Sequence, residues 1–153
     1  MSLPLLLVTI TFILITLLIQ HGVLQFLWAR PKMDKEQVNY YYEMLKKGRL
    51  IPIRKSDGSL AGIITFYIGT ANADKYVREN MWEVLEDEPQ GWICYVDQLL
   101  SNDKTHRFEN SFVVWNNFKN YIKQNFPNVL WLRWNRVKNN RVKTYIERIK
   151  QEV

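Results

Sequence analysis

Asp97 is the single charged residue in the most strand-like run of the chain, Trp92 to Leu100. A carboxylate inside an otherwise apolar strand can accept a proton or orient a base. His106 follows in the next loop, and a neutral imidazole folded back over the strand would serve as a general base. Each residue also has a plainer use. Asp97 can be a structural carboxylate paired with Arg133 or Arg136 of the next strand, and His106 an exposed loop side chain with no role. Cys94 alternates with Asp97 along the strand, so the two face opposite sides and the thiol reads as core.

The remaining chemistry is that of charge. The net charge is +6, and residues 129–153 hold seven Lys and Arg against two acids. Arg133, Arg136, Lys138, Arg141 and Lys143 are therefore read as a basic surface, interleaved with aromatics as nucleic-acid surfaces are. Anionic lipid would attract the same charges. Strand alternation spreads them over two faces, which weakens a continuous groove. The sequence has no Gly-rich phosphate loop, no Cys or His at metal-ligand spacing and no Gly-x-Ser-x-Gly elbow, which removes most nucleotide, metal and serine-hydrolase functions. No metal site and no resident cofactor is expected.

The elements that must position these residues follow from periodicity and punctuation. Asp34 caps a helix that runs to about Lys47 and ends at Gly48, with Val38, Tyr41, Tyr42 and Leu45 forming an apolar stripe. Leu50 to Arg54 and Leu60 to Ile68 are β-rich runs around Asp57-Gly58, a strong hairpin signal. Asp74 to Glu88 reads as a helix stopped by Pro89, and Trp92 to Leu100 as a central strand. Asn110 or Ser111 caps a helix through Phe126 whose apolar face is Phe112, Trp115, Phe118, Tyr121 and Ile122. Val129 to Val137 and Arg141 to Ile149 read as strands joined at Lys138-Asn139-Asn140. The order α, β, β, α, β, α, β, β predicts an α/β protein with a mixed sheet and helices on its faces.

Ahead of this domain, Leu3 to Trp28 contains no charged residue. At about 1.5 Å per residue it makes a helix near 39 Å, enough to cross a hydrocarbon core of roughly 30 Å. Residues 1–29 are accordingly read as a transmembrane anchor, with Leu3, Phe12 and Ile19 along it and Trp28 and His21 at the interface, and residues 30–153 as the domain it carries. Arg30, Lys32 and Lys35 follow the span and no charged side chain precedes it, so the positive-inside rule puts the domain in the cytoplasm, or facing the interior of a particle. A lone cysteine suits a reducing compartment.

Three strings carry a resemblance: the hairpin Leu50-Ile51-Pro52-Ile53 with Leu60-Ala61-Gly62-Ile63-Ile64, the strand Trp92-Ile93-Cys94-Tyr95-Val96-Asp97, and the helix end Tyr121-Ile122-Lys123-Gln124-Asn125-Phe126-Pro127. Across roughly Glu43 to Lys143 the chain resembles the GNAT acyltransferase superfamily, and within it the toxin-activating lysine acyltransferases. The resemblance implies an α+β mixed sheet, an acyl thioester lying in a splayed cleft against the central strand, and Asp97 in the place of an aspartate that assists a histidine base. That histidine is missing from Arg30 to Val38, where the resemblance would put it. The loop Ser101 to Ser111, which would wrap the pyrophosphate of coenzyme A, has no glycine.

Two functions stay open. One is a non-catalytic structural or tethering module at a membrane, as in a membrane-containing virus particle or an envelope complex. Its partners would be the lipid bilayer and a protein or a second copy of the chain, with nucleic acid a weaker third. The other is a membrane-anchored N-acyltransferase using Asp97 and His106, which would take acyl-CoA or an acyl carrier protein as donor.

Overall fold

The computed structural model describes residues 2–28, 33–82, 85–102 and 109–149, except the side chains of 16, 18–20, 28 and 109. The chain forms two compact units, Met1–Gly48 and Arg49–Val153.

The first unit holds α1 (Leu3–Trp28) and α2 (Lys35–Lys46). Thr9 and Thr11 donate their hydroxyls to the carbonyls of Leu5 and Leu7, so these polar side chains are satisfied within the helix. From Leu3 to Leu17 the described side chains are exposed and apolar but for these threonines and Pro4, whereas Val23 and Leu27 are buried. Among the described residues no helix is long and apolar enough to cross a membrane; side chains 16 and 18–20, near the middle of α1, lie outside that description. The anchor positions Ile19 and Trp28 are among the side chains not described, and Arg30 and Lys32 lie outside the described residues altogether.

The start of α2 is set by a capping box. Asp34 Oδ1 accepts the Gln37 amide at 2.8 Å and Gln37 Oε1 accepts the Asp34 amide at 3.1 Å. Gly48 ends it at φ +70°, the left-handed position a helix C-terminus demands. The buried residues are Val38, Tyr41 and Met44; Tyr42 and Leu45 are half-buried, so the apolar stripe turns slightly from the one the sequence predicts.

The second unit is an α+β domain on a five-stranded mixed sheet in the order β1 (Leu50–Arg54), β2 (Leu60–Gly69), β3 (Ile93–Ser101), β4 (Trp131–Lys138), β5 (Arg141–Arg148). All pairs are antiparallel except β3 with β4, the parallel centre. One long helix, α4 (Glu109–Asn125), is the crossover between those two strands and covers one face. Its stripe Val114, Phe118 and Ile122 packs on Ile64, Phe66, Cys94, Val96 and Leu132. Phe112, placed in that stripe by its spacing, is instead 68% exposed. Asn110 and Ser111 lie within α4 and do not cap it; Asn110 ties its first turn to the Asn102 carbonyl at 2.7 Å.

The helix expected over Asp74 to Glu88 is much shorter: α3 spans Asp74–Arg78 after a single 3-10 turn at Ala71–Ala73. Asn80 sits at φ +57°, a conformation that ends a helix. Asp87 is then drawn out of any helical turn by Arg49, which it binds through two hydrogen bonds of 2.8 and 2.7 Å, and by the Ile68 amide at 2.9 Å.

Candidate functional site

The site begins where the parallel pair comes apart. β3 and β4 pair from Ile93 opposite Trp131 to Val96 opposite Trp134, and no pairing follows although both strands continue. On its other side β3 skips a residue against β2: Thr65 pairs Gln98 and Phe66 pairs Val96, leaving Asp97 as the extra residue of a β-bulge. A bulge bends a strand and re-aims the side chains next to it. The buried Thr65 hydroxyl accepts the Gln98 amide at 3.1 Å, which keeps that backbone group bonded at the irregularity.

Between the separated strands and the start of α4 lies a cavity of about 510 Å³ lined by residues 96–99 of β3, Ser111, Phe112 and Trp115 of α4, and residues 134–136 of β4. Trp115 and Trp134 meet edge to face at 5.0 Å and form its apolar wall. Asp97 lines the cavity half-buried, with Gln98 Nε2 at 3.4 Å from its carboxylate, and Arg136 stands exposed at the rim. The cleft is open to solvent, and Asp97 is part of its wall.

His106, the candidate base, lies outside the described residues, as does the rest of 103–108. The expected ion pair between Asp97 and Arg133 is not formed. Arg133 points to the opposite face of the sheet, where its guanidinium pairs with Asp74. The Tyr95 hydroxyl lies 2.6 Å from Asp74 Oδ1 and 2.6 Å from the Thr70 carbonyl. Burial, reinforced by the Asp74 carboxylate, pushes the Tyr95 phenol well above its usual range. Arg133 is thus a half-buried structural residue and leaves the basic surface.

Cys94 is fully buried on the α4 face, and burial pushes its thiol up, so it is a neutral core residue rather than a nucleophile. Strict alternation places it opposite Asp97, but the bulge interrupts that alternation at Asp97 itself. Among the described residues no group of three His, Cys, Asp or Glu could hold a metal ion.

The basic residues of the hairpin are arranged more tightly than alternation along each strand suggests. Arg136 stands opposite Lys143 and Lys138 opposite Arg141, so all four share the α4 face of the sheet. Only Arg133 and Arg148 are on the other face. Trp134 stacks on Tyr145 at 5.7 Å, and Arg136 and Lys143 lie over the Tyr145 ring at 5.2 and 5.1 Å. The cleft wall therefore runs on into a row of cations. The signal was present in the sequence: a two-residue Asn139-Asn140 turn fixes which residues face each other.

In arrangement, the cleft offers an amphipathic ligand two indole rings, a carboxylate at a bulged strand and a guanidinium at the rim. No protein-family model matches the chain, and no curated protein does. Among solved structures it is similar to the crystal structure of Tetrahymena GCN5, with a TM-score of 0.44 and 18% sequence identity over 77% of this chain and 62% of that one. The chain thus spans less than two thirds of that structure's length.

Proposed function

We propose that the chain is a single-pass membrane protein whose α1 lies in the bilayer and whose GNAT-like second unit acts beside it as a structural or tethering module. The observation that supports this is the first half of α1. Leu3, Leu5, Leu6, Leu7, Val8, Ile10, Phe12, Ile13, Leu14, Ile15 and Leu17 are between 43% and 71% exposed, on every side of the helix. A helix apolar all round has no water-facing side and calls for a hydrocarbon solvent. With Leu18 and Ile19 from the sequence the uncharged apolar run reaches about 17 residues, the lower end of what spans a bilayer. A second copy or an envelope-associated protein is the partner this role implies, and Lys35 after the span favours a cytoplasmic or interior-facing second unit.

Flotation with vesicles and extraction with alkaline carbonate test it. The full chain is expected to stay with lipid through carbonate. Ile10→Asp with Leu14→Asp costs roughly 2.5–3.5 kcal/mol per charge at the centre of a span and should release it. Release of the unaltered chain by carbonate would end this reading.

The open cleft favours a second reading, a membrane-anchored N-acyltransferase. An amine would attack the thioester carbonyl of acyl-CoA or of an acyl carrier protein, forming the amide as the C–S bond breaks and the thiolate leaves. The amine's proton would pass to Asp97, directly or through His106, and from there to the departing sulfur as free thiol. Acyl thioesters should then quench Trp115 and Trp134 emission, and a lysine acceptor should release free thiol. Neither effect across a range of acyl lengths removes the reading.

A further inference from the structure

β4 and β5 are joined by Asn139 and Asn140, both left-handed at φ +53° and +60°, the two-residue turn that gives a tight hairpin. Its register sets two like-charge pairs one above the other, Arg136 opposite Lys143 and Lys138 opposite Arg141. Like charges directly opposed across strands are destabilising. No acidic residue occurs from Trp131 to Ile146 to relieve them, and Glu147, next on that face, is held by Lys119 at 3.2 Å. On the opposite face the tip of the hairpin is apolar, and the hydrogen-bonded pair Asn135 and Thr144 follows it. Val137 stands opposite Val142, 61% and 38% exposed, and Ile146, 54% exposed, lies beyond the Asn135 and Thr144 pair, opposite Arg133.

We propose that this hairpin end docks on an anionic phospholipid surface, its four cations on headgroup phosphate and carboxylate and its valines at the boundary of the acyl chains. A bilayer interface offers negative charge and apolar surface within one thin layer, and a hairpin end that is cationic on one face and apolar at its tip on the other matches it. A nucleic acid would use the cations alone and leave Val137, Val142 and Ile146 in water. Nor is Tyr145 open for base stacking, since Trp134, Arg136 and Lys143 already cover it. The docking deepens the membrane reading above and takes its setting from it, but it is measured separately.

The test uses the full chain reconstituted in vesicles of phosphatidylcholine alone or mixed with phosphatidylserine. A polarity-sensitive fluorophore is placed on Val142→Cys; buried Cys94 stays unlabelled. Emission should shift to the blue in the mixed vesicles and not in the neutral ones, and return on adding salt. The ratio of docked to undocked hairpin should fall roughly fivefold for each cation removed, so Lys138→Glu with Arg141→Glu abolishes the shift while Lys138→Arg keeps it. Both positions are exposed, and unchanged near-ultraviolet dichroism of the tryptophans confirms folding.

A blue shift equal in neutral vesicles, or one that survives the charge reversals, overturns the proposal. So does binding of an oligonucleotide that the reversals abolish when phosphatidylserine has no effect. Carbonate extraction of the same vesicles reads the anchor independently. Should α1 not span the bilayer, carbonate strips the protein off, yet added protein would still bind phosphatidylserine vesicles at low salt through the hairpin.

Discussion

Replacing Arg49 by Ala should lower the stability of the second unit by about 3–5 kcal/mol, because it breaks a largely buried ion pair and leaves a carboxylate behind. Arg49 and Asp87 have side chains only 14% and 26% exposed. The guanidinium grips Asp87 through Nε and Nη2 and lies 5.5 Å from the ring centre of Phe66 and 5.1 Å from that of Phe126. Asp87 also accepts the Ile68 amide, and Glu88 donates its amide to the Ile68 carbonyl at 2.7 Å. One residue thus joins the start of β1, the end of β2 and the segment leading to β3. Lys cannot form the two-pronged contact, so Arg49→Lys should restore only part of the loss. Asp87→Ala should cost a similar amount, and the double variant less than the sum, since each single change strands the other charge. Chemical unfolding followed by tryptophan emission measures all four variants. A loss below about 1 kcal/mol for Arg49→Ala would place this pair with ordinary surface salt bridges.

That contact also shows where reading the sequence stops. Features carried by neighbouring residues were legible: the cap at Asp34, the turn at Asp57-Gly58, the central strand through Asp97, and the helix that follows it and ends at Phe126. Asp57 illustrates how local such signals are. Its carboxylate accepts both the amide and the hydroxyl of Ser59 and is held below the usual carboxylate range by those bonds, all within one turn. Asp74 to Glu88 failed as a helix because its apolar spacing says nothing of Arg49, whose pull on Asp87 acts across 38 positions.

The bulge was hidden for a related reason. Nothing along β3 in the sequence marks the irregularity, and the skipped residue exists only in its pairing with β2. Asp97 was therefore identified as a site residue, while the geometry that opens the cleft beside it was not. Arg133 was grouped with its basic neighbours by composition, yet Asp74, more than fifty positions earlier, claims it. The other four cations could have been placed on one face from the Asn139-Asn140 turn. What misled was counting alternation on each strand separately, without the register that a two-residue turn imposes.

A second large effect concerns alkaline pH. Tyr95 and Cys94 are both buried at 0% exposure, and burial raises both above their ordinary values near 10 and 9, with Asp74 reinforcing the effect on the phenol and Arg133 opposing it. In the unfolded chain each loses its proton near its ordinary value, whereas the folded protein retains it. Above those values the folded state binds more protons, so stability falls as pH rises; below about pH 9 the contribution is present in full. Each retained proton lowers stability by about 1.4 kcal/mol per pH unit, so near pH 11 the two together cost about 4 kcal/mol. Tyr95→Phe separates the contributions. It leaves the Thr70 carbonyl and the Asp74 carboxylate without their shared donor, so it should cost about 1–3 kcal/mol at neutral pH. Its stability should nevertheless fall less steeply above pH 10, by about 1.4 kcal/mol per unit, and Cys94→Ala should remove the decline that begins near pH 9. Denaturant midpoints measured from about pH 8 to pH 11 decide the matter. A slope unchanged by Tyr95→Phe would mean that the phenol ionises in the folded state, and that the Asp74, Arg133 and Tyr95 cluster is open to water.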